Sequence, residues 1–187
     1  MAATIVKRRF TADEYQRMGQ AGILRGEDRV ELIDGEIVAM SPIGSRHNAC
    51  ANHANRALVR AAGDDAIVQV QGSVRLDSYS EPEPDLVLLR PQPHFYTSRL
   101  PGPADILLIV EIAESSIDYD REVKARVYAE AGVPEYWIAD LNTNVIWRHV
   151  SLEHGAYKTI EPCRRGETIA PRELPACLVG VDVFLIE

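Results

Sequence analysis

The apolar and polar positions of the chain fall into short blocks, and most blocks read as strands. The clearest is the run LLIV at 107–110, extended by Ile112 across a single carboxylate, Glu111. A continuous apolar run of this length between turn signals predicts a buried strand. The stretch "EPEPDLVLL" enters a second strand, over about 85–89, through two prolines. Shorter patterns predict strands near 67–70 and 73–76. "EYWIADL" and "NVIWRHV" predict two more, joined by a Leu-Asn-Thr-Asn turn. Upstream, "RVELIDGEIVAM" contains Asp34-Gly35, a strong two-residue hairpin signal. In that register Val30, Leu32, Ile37 and Ala39 share one apolar face. Glu31 falls on the other, with Ile33, Glu36 and Val38.

Helical spacing appears in three places. Thr11 and Glu14 form a capping box that opens a helix to about Gly19. Ser45 is placed to cap a helix that runs to about Ala62 and stops at Gly63. Its apolar stripe is Cys50, Ala54, Ala57, Leu58 and Ala61. A third helix spans about 118–131, with Gly132 as its stop and Pro134 just beyond. Between the strands, "RPQPHFYTSRLPGP" reads as a mobile surface loop. The tail from Ser151 carries weaker strand patterns and ends in "LVGVDVFLIE". No repeat, low-complexity tract or linker interrupts the chain. Strands mixed with two substantial helices predict a single α/β domain over 1–187, built around one mixed sheet.

Composition narrows the class. The chain has 187 residues, 46% of them hydrophobic, enough for one sizeable core. No apolar run approaches the roughly 18 residues that a membrane span needs. The start, "MAATIVKRRF", lacks the apolar centre of a signal peptide. Cys50, Cys163 and Cys177 have no zinc spacing and no disulfide framework, so a reducing cytoplasm is expected. The net charge is −8, unlike a protein that coats nucleic acid. Any nucleic-acid contact must therefore rely on a local patch and a metal.

Glu111 is the chemical anomaly. An unpaired buried charge costs several kcal/mol or more, so it must be paired, neutralised or bound to a cation. Asp85 opens the other apolar strand, and neighbouring strand ends can bring two carboxylates together. Magnesium takes oxygen ligands, commonly one or two carboxylates plus waters and phosphate. Lys124 lies 124 − 111 = 13 residues beyond Glu111, in the third helix. Val127 and Tyr128 follow it at i+3 and i+4, so it borders the apolar stripe.

"VELIDGEI", "PEPDLVLL", "IVEIAESS" and "DREVKARVYAEAGVPEYWIAD" occur in the order seen in the Uma-type putative restriction endonuclease family. That family belongs to the PD-(D/E)XK, or restriction endonuclease-like, superfamily, and the chain resembles it over roughly residues 10–185. The resemblance implies a central mixed sheet flanked by helices, with an extra N-terminal hairpin. It matches the superfamily's PD to Pro84-Asp85 and its second acid to Glu111. The usual lysine position, two residues further on, is Ala113; the resemblance makes Lys124 the migrated counterpart and Glu31 the upstream acid. It implies a magnesium-dependent endonuclease, with manganese as a substitute metal. Asp85 and Glu111 would be its ligands and DNA its substrate, and a homodimer would suit cleavage of both strands.

Two other readings remain open at this stage. One is a nuclease-fold protein without catalysis, acting as an assembly or regulatory partner. The other is a hydrolase of smaller phosphate esters. Arg and Lys lining the cleft beside Asp85 would favour nucleic acid, and a wholly acidic cleft would favour the alternatives. Target specificity would come from loops such as 91–103 or from another protein. His47 is expected to be a capping or surface residue, and Tyr128 a packed tyrosine. Trp137 and Trp147 are expected in the core or at a dimer interface reached through an exposed "NVIWRHV" strand. Lys7, Arg8 and Arg9 read as a solvated terminus.

Overall fold

The computed structural model describes residues 7–186. The reading of the first six residues as free of a leader, and the outermost ends of the 1–187 domain, lie outside them. The chain forms α1 (Ala12–Gln20), a hairpin of β1 (Val30–Ile33) and β2 (Glu36–Ala39), and α2 (Ser45–Ala62). Strands β3 (Ile67–Val70), β4 (Leu86–Leu89) and β5 (Ile106–Ala113) follow, then helix α3 over residues 117–131. Next come β6 (Tyr136–Asp140), β7 (Val145–Glu153) and β8 (Ala156–Arg164). A small ladder of β9 (Thr168–Ile169) and β10 (Val179–Gly180) closes the fold. No helix among the described residues is long and apolar enough to cross a membrane.

Six strands make the central sheet, in the order β3-β4-β5-β6-β7-β8. All neighbours are antiparallel except β5 and β6, which run parallel. A parallel pair cannot be joined by a tight turn, and α3 supplies the crossover. Every residue of β5 is buried because the strand is central and covered on both sides. Period-2 alternation sorts them: Leu108, Val110 and Ile112 pack with Cys50, Ala54 and Leu58 of α2. Ile109 and Ala113 pack with Ala125, Val127 and Tyr128 of α3. Glu111 shares that second parity, so its carboxylate lies on the α3 side of the sheet.

The hairpin has the expected register, with Val30 opposite Ala39 and Leu32 opposite Ile37. Its two faces are both covered at β1. Glu31, Leu32 and Ile33 are all buried, because β1 is covered on both sides; Leu32 also pairs with Glu81. Three expectations are corrected. Gly44, not Ser45, is the N-cap of α2, and Ser45 is already helical. The expected strand at 73–76 is an extended segment without a ladder. Its amides bond to carbonyls of Pro82, Pro101 and Ser80, and the proline-punctuated chain opposite has too few N–H groups to complete one. Finally, β7 is not exposed, since β6 and β8 flank it. Trp137 is wholly buried and Trp147 partly so, which removes the expected strand surface for a second copy.

The 91–103 loop is tied down. Tyr96 donates to the Arg90 carbonyl at 2.7 Å, and Arg99 grips Asp105 with two bonds of 2.5 and 2.9 Å. Lys7, Arg8 and Arg9 are exposed, as expected of a solvated terminus, and pair at the surface with Glu36, Glu14 and Asp34.

Candidate active site

The antiparallel register of β4 and β5 sets Leu86 opposite Val110. The preceding residue, Asp85, therefore comes beside Glu111. The Asp85 amide donates to Glu111 Oε2 at 3.2 Å, and the Ile112 amide donates to Asp85 Oδ2 at 2.8 Å. Each acid is thus oriented by the backbone of the other's neighbourhood.

Helix α3 brings the cation. Its residues Asp120–Lys124 form a π-helical stretch between α-helical ends. Such widened turns are rare and often mark functional positions. Asp120, Lys124 and Tyr128 all face the sheet and are buried. Lys124 Nζ lies 2.9 Å from Glu111 Oε1 and 3.3 Å from Glu31 Oε1. The Tyr128 hydroxyl donates to the same Glu111 Oε1 at 2.9 Å. Asp120, four residues before Lys124 on the same helix, accepts a hydrogen bond from the Ser116 hydroxyl at 2.6 Å. Glu31 also accepts the Glu83 amide at 3.3 Å.

Glu31, Asp85, Glu111 and Lys124 therefore line one cleft of roughly 290 Å³. His47, expected as a capping or surface residue, lines it too, as do residues the sequence did not single out. His47 Nε2 lies 3.0 Å from Asp85 Oδ2, while its buried Nδ1 has no hydrogen-bond partner among the described residues. Its position in the first turn of α2 was legible; that this turn ends over the β4 entry was not. Asp120, Glu83 and Glu114 complete the acidic lining. The 91–103 loop does not line this cleft.

The electrostatics follow from burial and crowding. Burial pushes Glu111 up to about 8; Lys124 opposes this, while Asp85, Asp120 and Glu31 add to it. Burial likewise raises Asp120 to about 6, against Lys124 and the Ser116 bond. Burial alone would lower Lys124, but Glu111, Glu31 and Asp120 override it and hold the ammonium protonated. Burial also works to lower His47, and the bond to Asp85 and its charge reverse the sign.

Among the described residues no group of three or more His, Cys, Asp or Glu side chains converges as a metal-binding cluster. A hard cation that keeps several waters needs fewer protein ligands than that. Asp85 and Glu111 meet this lower requirement. Both hydrogen bonds to Asp85 fall on Oδ2, which leaves Oδ1 without one among the described residues. The donor chemistry of the pair fits magnesium or manganese.

A mixed six-stranded sheet with acids at adjoining strand ends and helices on both faces is the restriction endonuclease-like fold. The chain belongs to the Uma2 family, described as "Putative restriction endonuclease", whose model matches residues 12–181. It is similar in fold to a crystal structure of "a putative nuclease belonging to DUF820" from Anabaena variabilis ATCC 29413. The TM-score is 0.74 at 13% identity, covering 94% of this chain and 97% of that one. No curated protein matches the chain.

Proposed function

We propose that the chain is a magnesium-dependent nuclease, a hydrolase of phosphodiester bonds in DNA. The observation that carries this reading is Lys124. It reaches from the crossover helix to Glu111 beside Asp85, although the strand position two residues after Glu111 is Ala113. Membership of the Uma2 family supports the same reaction class. Asp85 and Glu111 would hold the ion, with manganese as a substitute. Bound there, it would polarise the phosphodiester and lower the pKa of an attacking water.

The chain's own residues have separate tasks. Asp85 is oriented by the Ile112 amide and by His47, so its free oxygen keeps one direction. Glu111 is fixed by Tyr128, Lys124 and the Asp85 amide. Lys124 is protonated, so it stabilises charge developing on the phosphate and does not abstract the proton of water. Glu31 holds Lys124 in place from the hairpin side. In the reaction the water oxygen forms a bond to phosphorus and gives up a proton to solvent, while one ester P–O bond breaks and its electron pair stays on the leaving oxygen, which takes up a proton from solvent.

A second reading, a catalytically silent nuclease fold that serves as a partner protein, draws support from one observation. Glu31, Glu83, Asp85, Glu111, Glu114 and Asp120 line the cleft, against the cations Arg29 and Lys124. The cleft is largely, though not wholly, acidic.

The two readings part on one experiment. Purified protein is incubated with supercoiled, linear and single-stranded DNA, with magnesium, manganese or EDTA. The nuclease reading expects metal-dependent cleavage that Lys124→Ala lowers by roughly 10²–10⁴-fold. The magnesium-induced rise in Tm should survive that change. Lys124→Arg should rescue poorly, because guanidinium differs in shape from the compact ammonium. No cleavage of any DNA form with either metal would put the silent reading first.

A further inference from the structure

The residue before the hairpin is unusual on three counts. Arg29 has φ 43 and ψ 70, a left-handed backbone that disfavours any residue with a Cβ. Its carbonyl accepts from the Met40 amide at 2.9 Å, which holds the turn in that shape. Among the described residues its side chain has no carboxylate within ion-pair distance. Its one hydrogen bond is a 3.5 Å contact to the Ser41 carbonyl. Among the described residues Arg17, Arg56, Arg60 and Arg164 share this lack of an ion pair, but none of them lines the Asp85–Glu111 cleft, whereas Arg46, Arg75, Arg126 and Arg148 are ion-paired.

Arg29 also occupies a particular place. It lines the Asp85–Glu111 cleft and a second cleft of roughly 480 Å³, between α1 and the hairpin. Arg29, Met40 and Glu83 are common to both. The second cleft is lined by Tyr15, Gln16, Gln20, Arg25 and Ser73, side chains suited to a solvated polar ligand. A cation that attracts Glu83 without forming an ion pair, at the junction of two adjoining clefts, one bearing the acids, is suited to an extended polyanion that passes through both.

We propose that Arg29 binds a phosphate of the nucleic-acid backbone next to the one that reacts, so that the strand runs from the Asp85–Glu111 cleft over Arg29 into the cleft beside α1. The inference rests on the nuclease reading for its ligand class and adds to it a residue and a path. Backbone phosphates are read by arginine through charge and paired N–H donors, without regard to base sequence. The contact therefore fits a cleft that binds DNA strands of any sequence. It also explains why a residue poorly suited to the left-handed backbone sits there: the turn aims its side chain along the junction.

The test is binding, kept apart from cleavage. A short fluorescein-labelled DNA is titrated against the full chain in calcium, at several salt concentrations, and anisotropy is read. Arg29→Asn is the informative variant, because asparagine tolerates the left-handed backbone and removes the charge. Its Tm should not fall. Its DNA affinity should drop about tenfold, with the salt slope reduced by about 0.7–0.9, the loss of one phosphate contact. Arg29→Lys should keep most of the slope. Lys158→Ala, on the exposed β8 edge, should change neither quantity.

If wild type binds DNA and Arg29→Asn matches it in affinity and slope, the assignment is wrong while the nuclease reading stands. If the slope falls as expected but wild type never cuts, the phosphate contact stands and the nuclease reading fails. If wild type binds no DNA, both are overturned.

Discussion

At the residue scale, the protein answers the problem of a carboxylate in an apolar strand by surrounding it. Glu111 receives an ammonium, a phenol hydroxyl and a backbone amide. One lysine among Glu31, Glu111 and Asp120 cannot neutralise all three, so part of the balance is made by protons. The consequence for the metal-free protein has a definite sign. Glu111 ordinarily titrates at 4.5 and here at about 8. Between those values the folded state keeps a proton that the unfolded chain has released. This contribution to stability is complete below 4.5 and is lost as pH rises through about 8. Asp120, held near 6, acts in the same direction. The Tm of the metal-free protein should therefore fall across that window. Glu111→Gln, neutral throughout, should flatten the profile. Magnesium replaces the proton, so its stabilising effect should grow with pH in wild type. A wild-type Tm that rises or stays level from 4.5 to 8 in EDTA would contradict this account.

At the element scale, some of the site was legible in the sequence and some was not. The hairpin register could be read because Asp34-Gly35 admits few turn geometries. Lys124 could be placed near the sheet because Val127 and Tyr128 put it at the border of an apolar stripe. The π-helical stretch that aligns it with Asp120 and Tyr128 has no marker in the residue pattern. Alternation put Glu31 on the face opposite Leu32 but could not show that this face is covered as well, so its burial was not legible. The segment 73–76 alternates like a strand, but its partners include prolines, and a ladder requires donors on both sides. His47 was expected to be a capping or surface residue because its partner, Asp85, is 38 positions away, and only the fold closes that gap.

The hairpin turn itself is testable. Gly35 has φ +77, and a Cβ there would sit 2.6 Å from Arg9 Cβ and 3.1 Å from the Phe10 carbonyl. The Phe10 amide also bonds the Gly35 carbonyl at 2.8 Å. Gly35→Ala should cost about 1–3 kcal/mol through backbone strain and the clash. Urea denaturation should show the loss as a lower midpoint at unchanged slope. A midpoint equal to wild type would mean that the turn relaxes without cost.

At the scale of the whole molecule, the issue is how a chain of net charge −8 approaches a polyanion. Local contacts and the distant field depend differently on salt. The Debye length is about 10 Å at 0.1 M ionic strength and about 30 Å at 0.01 M. Helix α2 meets the cleft at His47, which bonds Asp85, and ends 62 − 47 = 15 residues later at Ala62. At about 1.5 Å per residue its far end lies about 22 Å away. Asp64 and Asp65 sit exposed just past that end. Changing both to lysine moves the net charge from −8 to −8 + 4 = −4 without touching the cleft. At low ionic strength the double variant should associate with DNA several-fold faster, seen as a higher kcat/KM at unchanged kcat. Near physiological salt the two proteins should coincide, because the intervening distance spans roughly two to three Debye lengths. Stopped-flow association at a series of salt concentrations makes the comparison. An advantage that persists at high salt would show that the end of α2 touches the DNA directly. The strand would then extend well beyond the two clefts joined at Arg29.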